Sequence, residues 1–333
     1  MRGMANLDYT FIVGELQPLV GRRLDKFYEL GKGRFRLKFG KDHVLIVLGE
    51  RLHLTKYLEE AGEPKGFAQK IRKELKGKKL SSVEQKGRDR IVVFDFSGKM
   101  LIAEMFGSGN LVLEEGGKIL AAHERRRWKG RELIPGKEYS FPPSQEKTLG
   151  EIFSGEKEKK VAAALVPLNI GIFYVRKVLG EAGVDEKKPV GELLEKEKKA
   201  VGDAYEKLLA GPEPVVVISG GEPSDYSLSG EGEGKATLSE ALDECFGPPT
   251  EEGEMKEEKK REALLEKQGE RLLELEAEEK EAKEKGDFIY AHYAEIEEVL
   301  SLYRERGLGA IEKLAKERGW KLDKKKKELE MEL

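Results

Sequence analysis

The chain has 333 residues, long enough for two or three folding units, and its charged and apolar residues are equal at 38% each. Its 61 Lys and Arg nearly cancel 64 Asp and Glu, for a net charge of −3. That balance excludes a uniformly basic nucleic-acid binder but allows local basic patches. One cysteine, Cys245, excludes an internal disulfide framework and a multi-cysteine zinc site. No apolar run approaches the roughly 20 residues of a membrane span, and MRGMANLDYTF lacks a signal-peptide core. The expectation is a soluble cytoplasmic protein with no membrane partner. Met4 offers an alternative start, which would make the first three residues a cloning remnant.

In residues 4–20, Leu7, Phe11, Ile12, Leu16 and Leu19 recur at helical spacing, and Pro18 and Gly21 end the helix. The following alternating segments, broken by GKG and GKD turns, predict three or more strands. A helix is predicted over 65–79, with Phe67, Ile71 and Leu75 on one face. Lys65, Lys70, Arg72, Lys73, Lys76, Lys78 and Lys79 oppose only Glu74 on the other. Strands at 90–96, 100–106 and 110–114 complete an α+β reading of residues 4–142, built on an antiparallel sheet.

PPSQEKT at 142–148 marks a boundary, and 143–211 reads as a helical module. Within it, VAAALVPLNIGIFYVRKVLGEAGVD is helix, tight turn, helix. Such a turn fits a helix-hairpin-helix that offers backbone N–H groups to phosphate, but turn composition alone favours an ordinary αα-hairpin. Residues 212–250 supply a buried strand and a helix N-capped by Thr237, with Glu240 completing a capping box, returning to the first domain. In the predicted arm, 251–305, twelve positions from 265 to 303 keep a 3/4 spacing and nine of them are apolar or aromatic, Leu265 through Tyr303. Sustained heptads predict a coiled coil. Its partner is expected from a missing arm or a second chain, because residues 306–333 suffice only for a short helix and strand at the arm tip.

His43, His53, His123 and His292 have no metal-ligand spacing, and no phosphate loop or dinucleotide fingerprint is present, so neither metal nor cofactor is expected. Ser108 in FGSGN is read as a turn residue, and nothing supplies nucleophile, base and oxyanion hole together. Cation density is the stronger signal. HERRRWKGR places Arg125, Arg126 and Arg127 beside Trp128, whose indole can stack on a base or on a guanidinium. A charge-guarded edge strand is the structural alternative. With Lys70, Lys73 and the GRDR segment around Arg88, three basic patches on one domain favour nucleic-acid binding. Asp89 either orients arginines structurally or accepts hydroxyl donors, and Asp8 either favours the helix dipole or serves a site. The residues alone leave both questions open.

The blocks ANLDYTFIVGELQPLVGRRLDKFYELGKGRFRLKF, GFAQKIRKELKGKKLSSVEQKGRDRIVVFDF, AEMFGSGNLVL and KREALLEKQGERLLELEAEEKEAKEKGDFIYAHYAEIEEVL resemble the NFACT family, which includes bacterial and archaeal RqcH and eukaryotic NEMF. The resemblance covers nearly the whole chain. It implies an NFACT-N domain similar in fold to the N-terminal domain of formamidopyrimidine-type DNA glycosylases, a helix-hairpin-helix module and a coiled-coil arm. It also implies a ribosome quality-control factor that binds obstructed large ribosomal subunits carrying peptidyl-tRNA. Such factors recruit tRNA, mainly alanyl-tRNA, for template-free tailing of the stalled chain; the ribosome makes the bond, so the factor is not a conventional enzyme. Asp8 matches the family's functional aspartate, and Asp89 and Arg90 match its tRNA-recruiting Asp-Arg pair; Arg88 lies outside that pattern. Family members usually continue to a second arm and an NFACT-R domain, so a truncated or split protein is expected. Two alternatives stand beside this reading. One is a fibronectin-binding surface adhesin, which the lack of a signal peptide disfavours. The other is a DNA glycosylase, which the absence of an N-terminal proline nucleophile disfavours.

Overall fold

The computed structural model describes residues 1–247, 251–323 and 328–330 except positions 32, 129, 144, 145 and 156; along 251–267 and at 270 it describes backbone only. The side chain of Leu265, and Ser144 and Gln145 of the 142–148 segment, therefore lie outside the described residues. Two compact units result, residues 1–249 and 250–333.

The first unit opens with α1 (Asn6–Leu16), which tightens into a 3-10 turn at Gln17–Leu19, so the expected 4–20 helix is shorter at both ends. Proline at the start of that turn removes one donor and fixes the chain for exit. Strands β1 (Lys26–Gly31), β2 (Arg34–Phe39), β3 (Asp42–Val47) and β4 (Arg51–Leu54) form an antiparallel meander. Helix α2 (Gly66–Leu75) follows, with Ile71 and Leu75 buried as their spacing predicts; it stops before the expected 79, where Gly77 takes φ +76°. A second meander holds β5 (Ser82–Gln85), β6 (Ile91–Asp95), β7 (Lys99–Glu104), β8 (Asn110–Glu115) and β9 (Lys118–Ala122).

Both meanders face one core, where Phe39 and Phe96 stack with centroids 6.3 Å apart. Each fully buried ring of this kind contributes about 1.5–3 kcal/mol. Period-2 alternation sends Val92 and Phe94 of β6 into that core and Ile91 and Val93 to the opposite face. The opposite face is not bare. Ile91, Ile102, Val112 and Ile119 pack with Leu133 of the ribbon formed by β10 (Arg126–Trp128) and β11 (Arg131–Leu133), and with Tyr139 and Phe141 from the segment after it.

The GSGN turn joins the two meanders. Gly109 has φ +69°, and a Cβ there would stand 2.5 Å from Gly49 N, so only glycine fits. Asn110, fully buried, donates to Glu124 O at 2.9 Å and accepts from Glu124 N at 3.0 Å, tying β8 to the start of the ribbon.

Next come α3 (Leu149–Ser154), α4 (Val161–Ala164), α5 (Ile172–Glu181) and α6 (Glu195–Ala210). The turn between α4 and α5 needs Asn169 at φ +53° and Gly171 at φ +88°, and a Cβ on Gly171 would lie 2.7 Å from Ala5 Cβ. The α4–α5 turn therefore sits directly against the start of α1. Strands β12 (Val215–Ser219), β13 (Glu222–Ser227) and β14 (Glu233–Gly234) form a small sheet; Val215 and Val216 are buried, but Ile218 is exposed. In α7 (Leu238–Phe246), Thr237 caps as expected, accepting from Glu240 N at 3.1 Å. The Glu240 carboxylate reaches Ala236 N rather than closing the expected box on Thr237 N. Buried Asp243 accepts from Lys56 N and Thr55 and lies 3.1 Å from His53 Nε2, fastening α7 to β4.

The second unit holds α8 (Glu251–Ala291), α9 (Tyr293–Arg306), α10 (Leu308–Arg318), β15 (Lys321–Asp323) and β16 (Glu328–Glu330). The periodic stretch thus bends at His292 (φ −110°, ψ 25°) instead of running straight to 305, though backbone bonds from His292 and Ile296 continue across it. Gly307 turns α10 back on α9, where Arg318 bonds Glu298 at 3.0 Å. Leu272, Leu275, Ile289, Tyr293, Leu300 and Tyr303 of the heptad stripe are exposed. Among the described residues no helix is long and apolar enough to cross a membrane.

Candidate nucleic-acid interface

Asp8 and Asp89, paired in expectation, are placed very differently. Asp8 is completely buried on the first turn of α1. It does more than favour the helix dipole: its Oδ2 accepts Ala5 N at 2.6 Å, capping the helix. The same oxygen accepts Arg2 Nη1 at 2.6 Å and the Tyr226 hydroxyl at 3.3 Å, while Oδ1 accepts Tyr174 at 2.5 Å and Arg2 Nη2 at 3.3 Å. The Arg2 guanidinium lies over Phe173 and Tyr226, 4.3 and 4.1 Å from their centroids. Of the first residues, Arg2 fills this cage and Met4 is buried, while Met1 is exposed. Burial opposes the Arg2 charge, but Asp8 outweighs it and holds the guanidinium above its ordinary pKa. Burial first, then the Asp8 charge, raise the Tyr174 and Tyr226 hydroxyls well above the phenol range, so both remain donors. One carboxylate thus welds the N-terminal tail, α1, α5 and β13.

Asp89 and Arg90 form the end of the turn that enters β6. Their backbone is pinned: Asp89 N donates to Lys86 O at 3.1 Å, Gln85 Nε2 to Asp89 O at 2.9 Å, and Met105 N to Arg90 O at 2.7 Å. Asn6 Nδ2 donates to Arg88 O at 2.9 Å, stitching the same turn to α1. Both side chains are half-buried, and neither has a hydrogen bond or ion pair among the described residues. They border a cleft of about 220 Å³ whose other walls are Asn6, Ile91, Phe106, Pro142 and Pro143. Near Arg90 the Tyr9 hydroxyl is buried with no hydrogen-bond partner among the described residues; burial raises its pKa and the Arg90 charge opposes that rise. A fixed backbone carrying an unpaired carboxylate and guanidinium beside flat apolar walls suits a ligand with hydroxyls, anionic oxygens and a ring.

The other expected contacts divide. Arg88 bonds the Tyr205 hydroxyl and pairs with Glu146 at 3.3 Å. Lys70 pairs with Glu74 at 2.8 Å, and Glu74 also holds Lys99; the bond from Lys70 leads that from Lys99 in lowering the Glu74 pKa to about 2. Arg126 is tied to Glu124, Ser108 Oγ and Gly109 O, bracing the GSGN turn. Arg125, Arg127 and Lys73 remain exposed, with Arg127 3.5 Å from Glu132 at the surface. Sequence reasoning missed Arg2, Tyr174, Tyr226 and the walls Phe106, Pro142 and Pro143. No local pattern marks them, since each reaches its site only through long-range packing.

The profile of NFACT N-terminal and middle domains matches residues 6–313. The archaeal Rqc2 homolog aRqcH of Methanocaldococcus jannaschii is 28% identical over 348 residues, covering 91% of this chain and 52% of that protein. The ribosome quality control complex subunit 2 of Schizosaccharomyces pombe is 39% identical over 125 residues, 33% of this chain and 12% of that protein. This chain therefore spans about half the length of the archaeal relative. The structure of the N-terminal part of the fibronectin/fibrinogen-binding protein from Streptococcus suis is similar in fold, with TM-score 0.57 and 19% identity, covering 72% of this chain and 97% of that one. With the mixed helix and antiparallel-sheet architecture and a profile match over most of its length, the chain belongs to the NFACT family.

Proposed function

We propose that this chain is the tRNA-receiving portion of a ribosome quality-control factor, with the Asp89–Arg90 cleft as its tRNA contact. The observation that carries this reading is the unpaired Asp89 and Arg90 on a pinned backbone, where neighbouring Arg88 and Arg126 are both tied within the fold. Arg90 supplies a guanidinium fork for phosphate or a base edge, and Asp89 accepts from a ribose hydroxyl or exocyclic amine. Asp8 acts from beneath, holding α5 and the α4–α5 turn against α1. If that turn works as a helix-hairpin-helix, its backbone N–H groups meet a phosphate beside the cleft. Arg125, Arg127 and Lys73 add salt-dependent attraction.

The relatives' names support a role in ribosome quality control, and the family resemblance extends the proposal to an obstructed large ribosomal subunit carrying peptidyl-tRNA, with alanyl-tRNA recruited for tailing in the cytoplasm. In that role the chain binds and orients, and the ribosome makes the peptide bond. The exposed heptad stripe of α8 and α9 would pair with a further arm. Tagged protein recovered from its own cells, with its bound RNA sequenced, tests the reading. Enrichment of tRNA together with large-subunit rRNA is expected; RNA mirroring total cellular RNA, or none, contradicts it.

A further inference from the structure

The ribbon β10–β11 carries a feature that charge guarding does not require. In its register Arg126 faces Leu133 and Trp128 faces Arg131, so these four side chains share one face of the ribbon. Three of them are anchored. Leu133 is fully buried in the second core. Arg126 grips Ser108 and Gly109, next to the cleft wall Phe106. Arg131 bonds Glu104 and donates to Ser140 O at 2.7 Å, next to the cleft walls Pro142 and Pro143. Trp128 is the fourth, and it is 45% exposed, with the Arg131 guanidinium 5.7 Å from its ring centroid.

Edge strands are guarded by charge, and an exposed indole adds apolar surface that such guarding serves to avoid. Here the indole is backed by a cation, flanked on the other face by exposed Arg127, and mounted on the same arginines that brace the cleft. We propose that Trp128 is a stacking platform for an unpaired base of RNA, a second contact that continues the strand held at the Asp89–Arg90 cleft. Arg131 fixes the indole from one side, and Arg127 and Arg125 meet the adjoining phosphates. The proposal rests on the RNA-binding reading above and adds a residue to it.

The chain has two tryptophans, Trp128 and Trp320, so Trp320→Phe leaves Trp128 as the sole indole reporter. Full-length Trp320→Phe protein is titrated with unfractionated deacylated tRNA while indole fluorescence and, separately, filter retention are recorded. Fluorescence quenching in step with retention is expected. Trp128→Leu is expected to weaken retention by roughly tenfold, with Trp128→Phe recovering most of the loss because any π-face serves. Retention without quenching, and unchanged in Trp128→Leu, overturns the platform while leaving the cleft reading intact. No retention by the parent protein overturns both.

Discussion

Asp8 and Asp89 stand in one folding unit, each beside an arginine, yet five hydrogen bonds converge on the first carboxylate and none among the described residues on the second. Asp8 is fully buried and its acceptor sites are filled, so no ligand reaches it without dismantling the cage of Arg2, Phe173, Tyr174 and Tyr226. Asp89 and Arg90 present the reverse arrangement, with backbone held and side chains open. The contrast separates a residue that is built into the frame from residues that stand open at a cleft.

The largest effect is expected from Asp8→Ala. It strands the Arg2 charge and the Tyr174 hydroxyl in a buried cage, and removing one partner of such a pair costs about 3–5 kcal/mol. Urea denaturation measures this, and a loss under 1 kcal/mol would show that the cage is dispensable. Tyr174→Phe removes one of the bonds to the same carboxylate and is expected to cost about 1.5–3 kcal/mol, the range for a hydrogen bond to a charged group. Wild-type stability in that variant would move the weld from Tyr174 to Arg2. Gly109→Ala attacks the open pair's frame rather than the cage. Its φ of +69° and the 2.5 Å approach to Gly49 N predict a loss of about 1–3 kcal/mol from backbone strain alone. A Gly109→Ala protein as stable as the parent would mean that the two meanders do not meet as tightly as described.

Much of this frame was legible beforehand. Alternation and glycine turns located β6, β7 and β8 within a residue or two, because a strand with one buried face must repeat every second residue. Thr237 was recognisable as a cap from its place before an apolar run. The basic patches were visible as composition, but composition does not distinguish Arg126, which braces a turn, from Arg127, which faces solvent. That distinction depends on strand register, which one residue of slip would invert. Arg2 was invisible for a related reason: its partners lie at positions 8, 173, 174 and 226, and no local window contains them. The bend at His292 was also hidden, since the heptad pattern passes through it without interruption.

The most direct measurement is tRNA filter retention by the full chain carrying Asp89→Ala with Arg90→Ala, alongside its urea denaturation curve. Neither side chain has a hydrogen bond or ion pair among the described residues, so stability is expected to change by no more than about 0.5 kcal/mol. Retention is expected to fall by about tenfold or more, with a salt dependence flattened by about one counterion. Undiminished retention by a fully folded double variant would contradict the assignment of the cleft, and a collapse in stability would show that this pair, like Arg2–Asp8, belongs to the frame.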